Sequence, residues 1–528
     1  MSWSPGFREV ALGPVRSPVY LLDTILPLGS TSAQLHLSSH RRAGYVQALR
    51  PLDCSVSWGS MSVPDWSTSG SSMRIVVDPE AVSLEGVERG VILQLSIALG
   101  ELVEPVFTGV LNNVTGGFRD PMVLELIGLE AALWSKYEQD PLAQDGPFHL
   151  AGTEGLVTTA YSPGDASIAT TLPFGVHKGF SNKYCIKVTP TGGTPFYITG
   201  TSFAGGTLSG SLTSALDTTL QAATPGDRVH AIAYDEGHPI NLISYALDWG
   251  AILTWPSEWR VGLPQNVYDR GESNQQVALE LDPAVATTYR MVVEKAPERF
   301  ADVLHPLAND GSCVIVQHQG QVAARLIQAP SAYMSTAALV TDTEVIDASW
   351  RAWHDSVTVD VFTVRDRSAR EGVPLRTDDP TTPAGALAMA YRQLGMQMPP
   401  IVVGGSEVWN ASNGGWKGTP KILNIEQRAP IFGGSSDRLA ARQAISNRVR
   451  DWILKSPESI RVTFPGWRSE SIGDAIRLQG QRFESRLGRH PSSNFRGQPC
   501  LIVGGGPDLF GCTTTYDLIA VPDDEPPT

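Results

Sequence analysis

The sequence predicts a mainly β protein with α/β parts, divided among several domains. Three observations carry that prediction. The chain has 528 residues, several times the roughly 100–200 residues that one core usually serves. It is rich in turn formers, with 51 Gly and 38 Pro, and low in charge at 18%, while 42% of residues are hydrophobic, a balance that suits many short strands joined by turns. Segment after segment alternates apolar and polar residues at the period of a strand.

In the first domain, expected over residues 1–142, "VILQLSIALGELVEPVFTGVLNNV" sets Leu93, Leu95, Ile97 and Leu99 against Ile92, Gln94, Ser96 and Ala98. A break at Gly100 to Pro105 and a second strand from near Val106 predict a hairpin. "MVLELIG" follows as a third strand and runs into the short helix candidate "LEAALWSKY".

Residues 143–234 change character. "TPTGGTPFYITGTSFAGGTLSGSL" is rich in Gly, Thr and Ser, and Phe174, Phe180, Tyr184, Phe196, Tyr197 and Phe203 are spaced between its turns. A disordered linker carries fewer aromatics, so an inserted small β module is expected. Residues 235–339 read as a mixed α/β domain. Pro239 suits a first helical turn before Ile240, Ile243 and Leu247. Phe300, Val303, Leu304 and Leu307 form a helical stripe that Pro306 should kink or shorten. "CVIVQHQGQVAARLI" reads as strand, turn at Gln319–Gly320, strand.

Alternation returns in residues 340–382, where Val357, Val359 and Val361 share a face. A helical supporting segment is expected over 383–457. It contains "PAGALAMAYRQLG", weakened by the interior Gly385, and "SDRLAARQAISNRVRDWILKS", capped by Ser436 or Asp437 and stopped at Pro457. Strands "SIRVTF", "DAIRLQG", "CLIVGGG" and "TTYDLIAV" fill residues 458–528, ahead of a frayed tail.

Composition excludes some functions. A formal net charge of −14 without a basic run argues against wrapping nucleic acid through its phosphates. Cys54, Cys185, Cys313, Cys500 and Cys512 form no C-x-x-C pair and read as buried free thiols of a reducing compartment. The first residues lack the pattern of an export signal, and "GVILQLSIALG" is far shorter than the roughly 20 residues of a membrane helix. The expectation is a soluble protein made in a cytoplasm.

The search for catalytic chemistry assigns no catalytic, cofactor-binding or metal residue and no cofactor. G-x-S-x-G, H-E-x-x-H and Walker loops are absent. The glycines at 504–506 and 404–405 lack the Lys-Ser/Thr of a phosphate loop and read as flexible hairpins. His36 and His40 form the one close histidine pair, in a strand-like context poor for metal. Glu101 and Glu104 read as solvated turn charges, although two carboxyls flanking one bond are what glycoside hydrolysis requires. Trp249, Trp255 and Trp259 read as packing anchors at a helix-to-loop corner rather than a sugar platform. In "WRSESIGDAIRLQG", Glu470 and Asp474 raise the same question of an acid and a base. Gly473–Asp474 is better read as a turn, with Ile476 and Leu478 inward and Arg477 outward on the strand that follows.

The order of parts resembles a known family. The carrying segments are "VFTGVLNNV" with "VLELIGLEAALW", then "HPINLISYALDWGAILTWPSEWRVGLP", then "ERFADVLHPLANDGSCVIVQHQGQVAARLIQAP", and finally "LAARQAISNRVRDWILKSPESIRVTFPGWRSESIGDAIRLQG". In that order they resemble the baseplate hub, or central tail-tip protein, of tailed bacteriophages and gene-transfer particles. The resemblance covers most of the chain outside about 143–234 and about 400–435.

It implies a non-enzymatic structural virion protein at the tail tip or baseplate, made in the host cytoplasm. Such hubs are homotrimers with two related β-barrels per subunit, here 1–142 and 340–382 joined with 458–528. Two similar barrels in three subunits adapt a sixfold tail to a threefold tip. Implied partners are the distal tail protein ring, the tape-measure protein and tail fibre or tip proteins, acting during host attachment and DNA delivery. The insertion departs from the simplest hubs and would offer an OB-like or glycan-binding surface or a further tail contact. A tail-associated cell-wall hydrolase and a carbohydrate-binding tail spike are the competing readings.

Overall fold

The computed structural model describes residues 19–24, 47–49, 51–62, 68–78, 92–116, 120–132, 151–173, 181–216, 218–243, 289–295, 301–311, 313–318, 321–327, 337–351, 361–366, 402–404, 409–410, 415–416, 422–427, 459–480 and 496–521, with the single positions 11, 246 and 333. The architecture is mainly β. The first strands are β1 (Val19–Thr24), β2 (Gln47–Leu49), β3 (Pro51–Ser57), β4 (Ser72–Val77), β5 (Ile92–Leu99), β6 (Leu102–Thr115) and β7 (Met122–Gly128), followed by the short helix α1 (Leu129–Ala132).

Then come β8 (Glu154–Leu156), β9 (Ser167–Ala169), β10 (Tyr184–Thr189), β11 (Phe196–Gly200), β12 (Ser202–Ala204), β13 (Thr207–Ser209), β14 (Thr213–Ala215), β15 (Arg228–Gly237) and β16 (Tyr289–Val293). Helix α2 (Ala301–Asp310) leads into the hairpin of β17 (Cys313–His318) and β18 (Gln321–Leu326). The last third holds β19 (Ala338–Thr341), β20 (Asp347–Arg351), β21 (Val361–Asp366), β22 (Val402–Gly404), β23 (Trp409–Asn410), β24 (Gly415–Trp416), β25 (Ile422–Gln427), β26 (Ser459–Pro465), β27 (Ala475–Gln479), β28 (Arg496–Asp508) and β29 (Thr513–Ala520).

The two expected barrel regions join in one 13-stranded sheet. Its order is β2-β1-β5-β6-β7-β4-β3-β28-β29-β26-β20, with β27 on β28 and β19 parallel to β27. Period-two burial places Met73, Ile75 and Val77 of β4, Ile460, Val462 and Phe464 of β26, and Ile476 and Leu478 of β27 in a single core with Leu93, Leu95, Ile97 and Leu99, the alternation a pleated strand imposes.

Local corrections to the sequence reading have physical causes. Strand β6 starts at Leu102 rather than near Val106. Pro105 is accommodated because Ser96 pairs with Pro105 while Leu95 pairs with Phe107, a bulge where a missing N–H is tolerated. Glu104 therefore lies in the strand, opposite Ile97. Helix α2 runs through Pro306, since Leu304, Leu307 and Ala308 are packed in the second core and tertiary packing outweighs local propensity.

Residues 361–366, expected in the second barrel, instead pair with β22 and, in parallel, with β25. Strands β22 to β25 thus lie within the segment expected to be helical; its helix candidates at 383–395 and 436–456 lie outside the described residues. The β-branched pair Val402 and Val403 supplies β22, with Gly404, read as part of a flexible hairpin, as its last residue, consistent with the strand preference of β-branched residues.

Within the region expected to be an inserted module and just beyond it lies the sheet β14-β11-β10-β15-β16, with β8 also on β15, beside the small sheet β12-β13-β9. Strand β15 runs unbroken through the 234–235 junction and pairs with β16. Its core continues into the helical turn at 239–243, helix α2 and the hairpin: Phe196, Val229, Ile240, Leu304 and Leu326 belong to one cluster.

Candidate functional site

The segment 467–474 leaves β26 and turns into β27. Gly473 has φ +90°, a conformation that glycine adopts freely. Asp474 closes the turn on itself: its N–H donates to Ser471 O at 3.0 Å, and Ser471 N donates back to Asp474 Oδ2 at 2.8 Å. Gly473 N donates to Ile502 O at 3.0 Å and Ile502 N donates to Asp474 O at 2.8 Å, so the turn is pinned to β28.

The two carboxylates do not form an acid–base pair. Asp474 Oδ1 accepts from Arg325 Nη2 at 2.8 Å, and the same guanidinium donates through Nη1 to Ser471 Oγ and Ile472 O, both at 3.1 Å. The Arg325 side chain is 6% exposed, so this ion pair is charge compensation of a buried cation. Glu470 accepts from Arg468 at 2.9 Å and 3.3 Å, and Tyr516 donates to Glu470 O at 3.0 Å. Burial holds the Tyr516 phenol well above its ordinary range, with the Glu470 charge adding to the effect. Each carboxylate therefore has its own arginine.

Aromatic rings carry this corner into the N-terminal half of the sheet. Trp58 stacks on Tyr516 at 5.6 Å, Phe464 meets Tyr516 edge-on at 5.6 Å, and Tyr20 meets Trp467 edge-on at 6.4 Å. Tyr20 also donates to Leu509 O at 2.6 Å.

The glycine run is neither a phosphate loop nor a flexible hairpin. Gly504, Gly505 and Gly506 lie inside β28, where the two halves of the sheet meet. Trp58 N donates to Gly505 O at 2.8 Å and Met61 N to Val503 O at 2.6 Å. A Cβ on Gly506 would stand 2.0 Å from Val56 O, so glycine is required for the backbones to approach this closely. No sequence motif marks this seam. The clue was present in three successive glycines inside an otherwise alternating strand.

Glu101 is exposed in the β5–β6 turn, and Glu104 lies on β6. His36, His40, Trp249, Trp255 and Trp259 lie outside the described residues, as do Phe174, Phe180 and Gly405. Among the described residues no group of three or more His, Cys, Asp or Glu is placed to hold a metal ion. In the region expected to be an inserted module, Phe196 is fully buried and stacks on Tyr161 at 6.4 Å, while Tyr184 and Phe203 pack together at 6.0 Å. Tyr197 donates to Glu294 under the Lys187 ammonium, which lies 5.4 Å from its ring. None of these described rings is an exposed platform for a sugar.

The five cysteines are free, four buried and Cys512 partly exposed. Burial pushes the Cys54 thiol up to about 12. Asp227, 3% exposed, accepts from Thr224 N at 2.7 Å and Thr224 Oγ at 3.1 Å, and from Thr191 N and Oγ at 2.8 Å. Those donors, the Thr224 backbone first, hold its carboxyl down at about 2. It clamps the 224–227 turn to Thr191.

No protein family matches the sequence, and no curated protein matches it. Solved structures similar to this chain include tail proteins. The 43 kDa tail protein of prophage MuSo2 from Shewanella oneidensis is 10% identical, with a TM-score of 0.41 over 96% of this chain and 98% of that chain. The tail protein from Neisseria meningitidis MC58 is 11% identical, with a TM-score of 0.42 over 96% and 97%. Prophage tail protein gp18 from Listeria monocytogenes EGD-e is 6% identical, with a TM-score of 0.37 over 96% of both chains.

Proposed function

We propose that the chain is a structural protein of a phage-type tail, acting as the trimeric hub of a baseplate or tail tip. The observation that carries this reading is the single sheet in which an N-terminal group of strands, β1 to β7, meets a C-terminal group, β19, β20 and β26 to β29, across one backbone seam. A subunit with two strand groups held rigidly side by side offers two comparable surfaces. Three copies around an axis then offer six, the number a sixfold tail presents. The candidate carboxylates Asp474 and Glu470 are bound to Arg325 and Arg468, which accords with a structural role for this turn.

On this reading the outer surfaces contact a distal tail protein ring, a tape-measure protein and tail fibre or tip proteins. Mass photometry of the purified full chain, with imaging of particles from cells that make it, tests the proposal. Trimers, and threefold density at the tail tip, are the expected result. A strictly monomeric protein absent from particles refutes it, and loss of turbidity in a peptidoglycan suspension would favour the hydrolase.

A further inference from the structure

Glu130 is the second residue of α1, which packs against β6, β7, β17 and β18, where the large sheet meets the second core. It is 3% exposed. Its Oε1 accepts from Ser71 N at 2.5 Å, and Gly128 N donates to Ser71 O at 2.8 Å, so the carboxyl group closes a corner between β7 and the start of β4. Its Oε2 and Ser71 Oγ each lack a hydrogen-bond partner of ordinary geometry among the described residues. Both flank one point: a Cβ on Gly128 would stand 2.0 Å from Ser71 Oγ and 2.6 Å from Glu130 Oε2.

The titratable or charged residues on the four packed strands are Glu104, Glu125, Cys313, His318 and Arg325. Glu125 is exposed and accepts from Asn113 at 3.2 Å. Arg325 is directed to Ser471, Ile472 and Asp474, and the Cys313 thiol to Gly311 O at 3.3 Å. Glu104 is opposite Ile97 near the β5–β6 turn, and His318 ends β17. The contacts described for the Glu130 carboxyl come from Ser71 and its own backbone.

We propose that Glu130 is held as a neutral carboxylic acid whose Oε2–H pairs with Ser71 Oγ, forming a pH-sensitive latch at the corner of the large sheet. A carboxylate buried without a cation is costly, whereas one proton shared between the two oxygens satisfies both atoms. Ionisation would release that proton to solvent and leave a buried charge held only by the neutral donors of Ser71 and of its own backbone. Burial accordingly raises this carboxyl above its ordinary 4.5, the Ser71 hydrogen bonds opposing the shift. The folded state then keeps a proton that the unfolded chain loses. The latch contributes fully below the unfolded value, and its contribution is lost as pH rises through the folded value.

The test is urea unfolding of the full chain and of Glu130→Gln from about pH 5 to about pH 9. Glutamine keeps an acceptor for Ser71 N and a donor for Ser71 Oγ without titrating. The expected result is a midpoint that falls with rising pH in the wild type more steeply than in E130Q, the two agreeing at the acidic end. Parallel curves overturn the proposal. Should E130Q fail to fold, infrared spectroscopy of the wild type decides: a protonated-carboxyl C=O band at neutral pH that vanishes on alkalinisation supports the latch, and its absence refutes it.

Discussion

The seam between the two halves of the sheet can be broken by one methyl group. Gly506 does not have a positive φ, so Gly506→Ala adds little backbone strain and its cost is steric. The new Cβ would sit 2.0 Å from Val56 O, 2.9 Å from Val56 C and 3.2 Å from Ser57 Cα. All three are main-chain atoms, well over an ångström too close at the oxygen, and β3 must move. Overpacking of this kind costs about 1–3 kcal/mol. Weakening the Trp58–Gly505 and Met61–Val503 hydrogen bonds adds about 1 kcal/mol each. The expected loss is about 3–5 kcal/mol, a large fraction of the roughly 5–15 kcal/mol that holds an ordinary domain. Gly100→Ala is the control, with φ +65° and nothing within 4 Å of its Cβ, and should cost about 1 kcal/mol through conformation alone. Urea unfolding gives both values, while hydrogen exchange should show lost protection at residues 54–61 and 500–506 in Gly506→Ala. A loss no larger than that of Gly100→Ala, with protection intact, would refute the seam.

Asp474→Asn should cost about 1–3 kcal/mol, because one amide oxygen cannot replace the two carboxylate oxygens that accept from Ser471 N and from Arg325; urea midpoints at neutral pH give the value, and a neutral substitution would refute the contact. Asp227 makes acid stability pH-dependent. Its carboxyl lies at about 2 against an ordinary 3.8, so its contribution is complete above the unfolded value and is lost as pH falls toward the folded one. Thermal unfolding of Asp227→Asn at acidic pH should therefore show a flatter slope than the wild type. In a native thiol-labelling assay Cys512 should react first, and Cys54, Cys185, Cys313 and Cys500 only as the chain unfolds, because four are buried and one is partly exposed.

Much of the fold was legible because a half-buried strand writes itself into the chain at period two. Strands β26 to β29 and the hairpin β17–β18 follow directly from alternation, as do inward Ile476 and Leu478, both fully buried. What was not legible depends on distant partners. Nothing near Asp474 announces Arg325, 149 residues away, and local turn chemistry alone gives no reason for Asp474→Asn to destabilise the fold. The glycines of β28 looked like a loop because the obstacle they avoid, Val56 O, belongs to a strand more than four hundred residues earlier in the sequence. Pro105 looked like a strand break because the bulge that accommodates it is a property of the pairing with β5. Strand β21 was legible as a strand but not as the partner of β25.

Hairpin β17–β18 shows why a string of separate domains is an incomplete picture of stability here. One set of its side chains, Val314 and Val316, belongs to the core of the large sheet, and another, Cys313, Val322, Ala324 and Leu326, to the second core. Apolar contact alone is non-directional and would tolerate a sliding hairpin. Polar contacts fix its position. Gln317 Nε2 donates to Thr108 O in the N-terminal half, Thr68 Oγ donates to Ile315 O at 3.2 Å, and Arg325 reaches the 471–474 turn in the C-terminal half. Sliding by one residue would strand a buried guanidinium, at a cost of several kcal/mol. The hairpin therefore registers the second core against both halves of the sheet at once. Loosening the seam at Gly506 should consequently be felt at the Arg325 contacts, although Gly506 touches neither Arg325 nor Asp474 in the close approaches that define the seam.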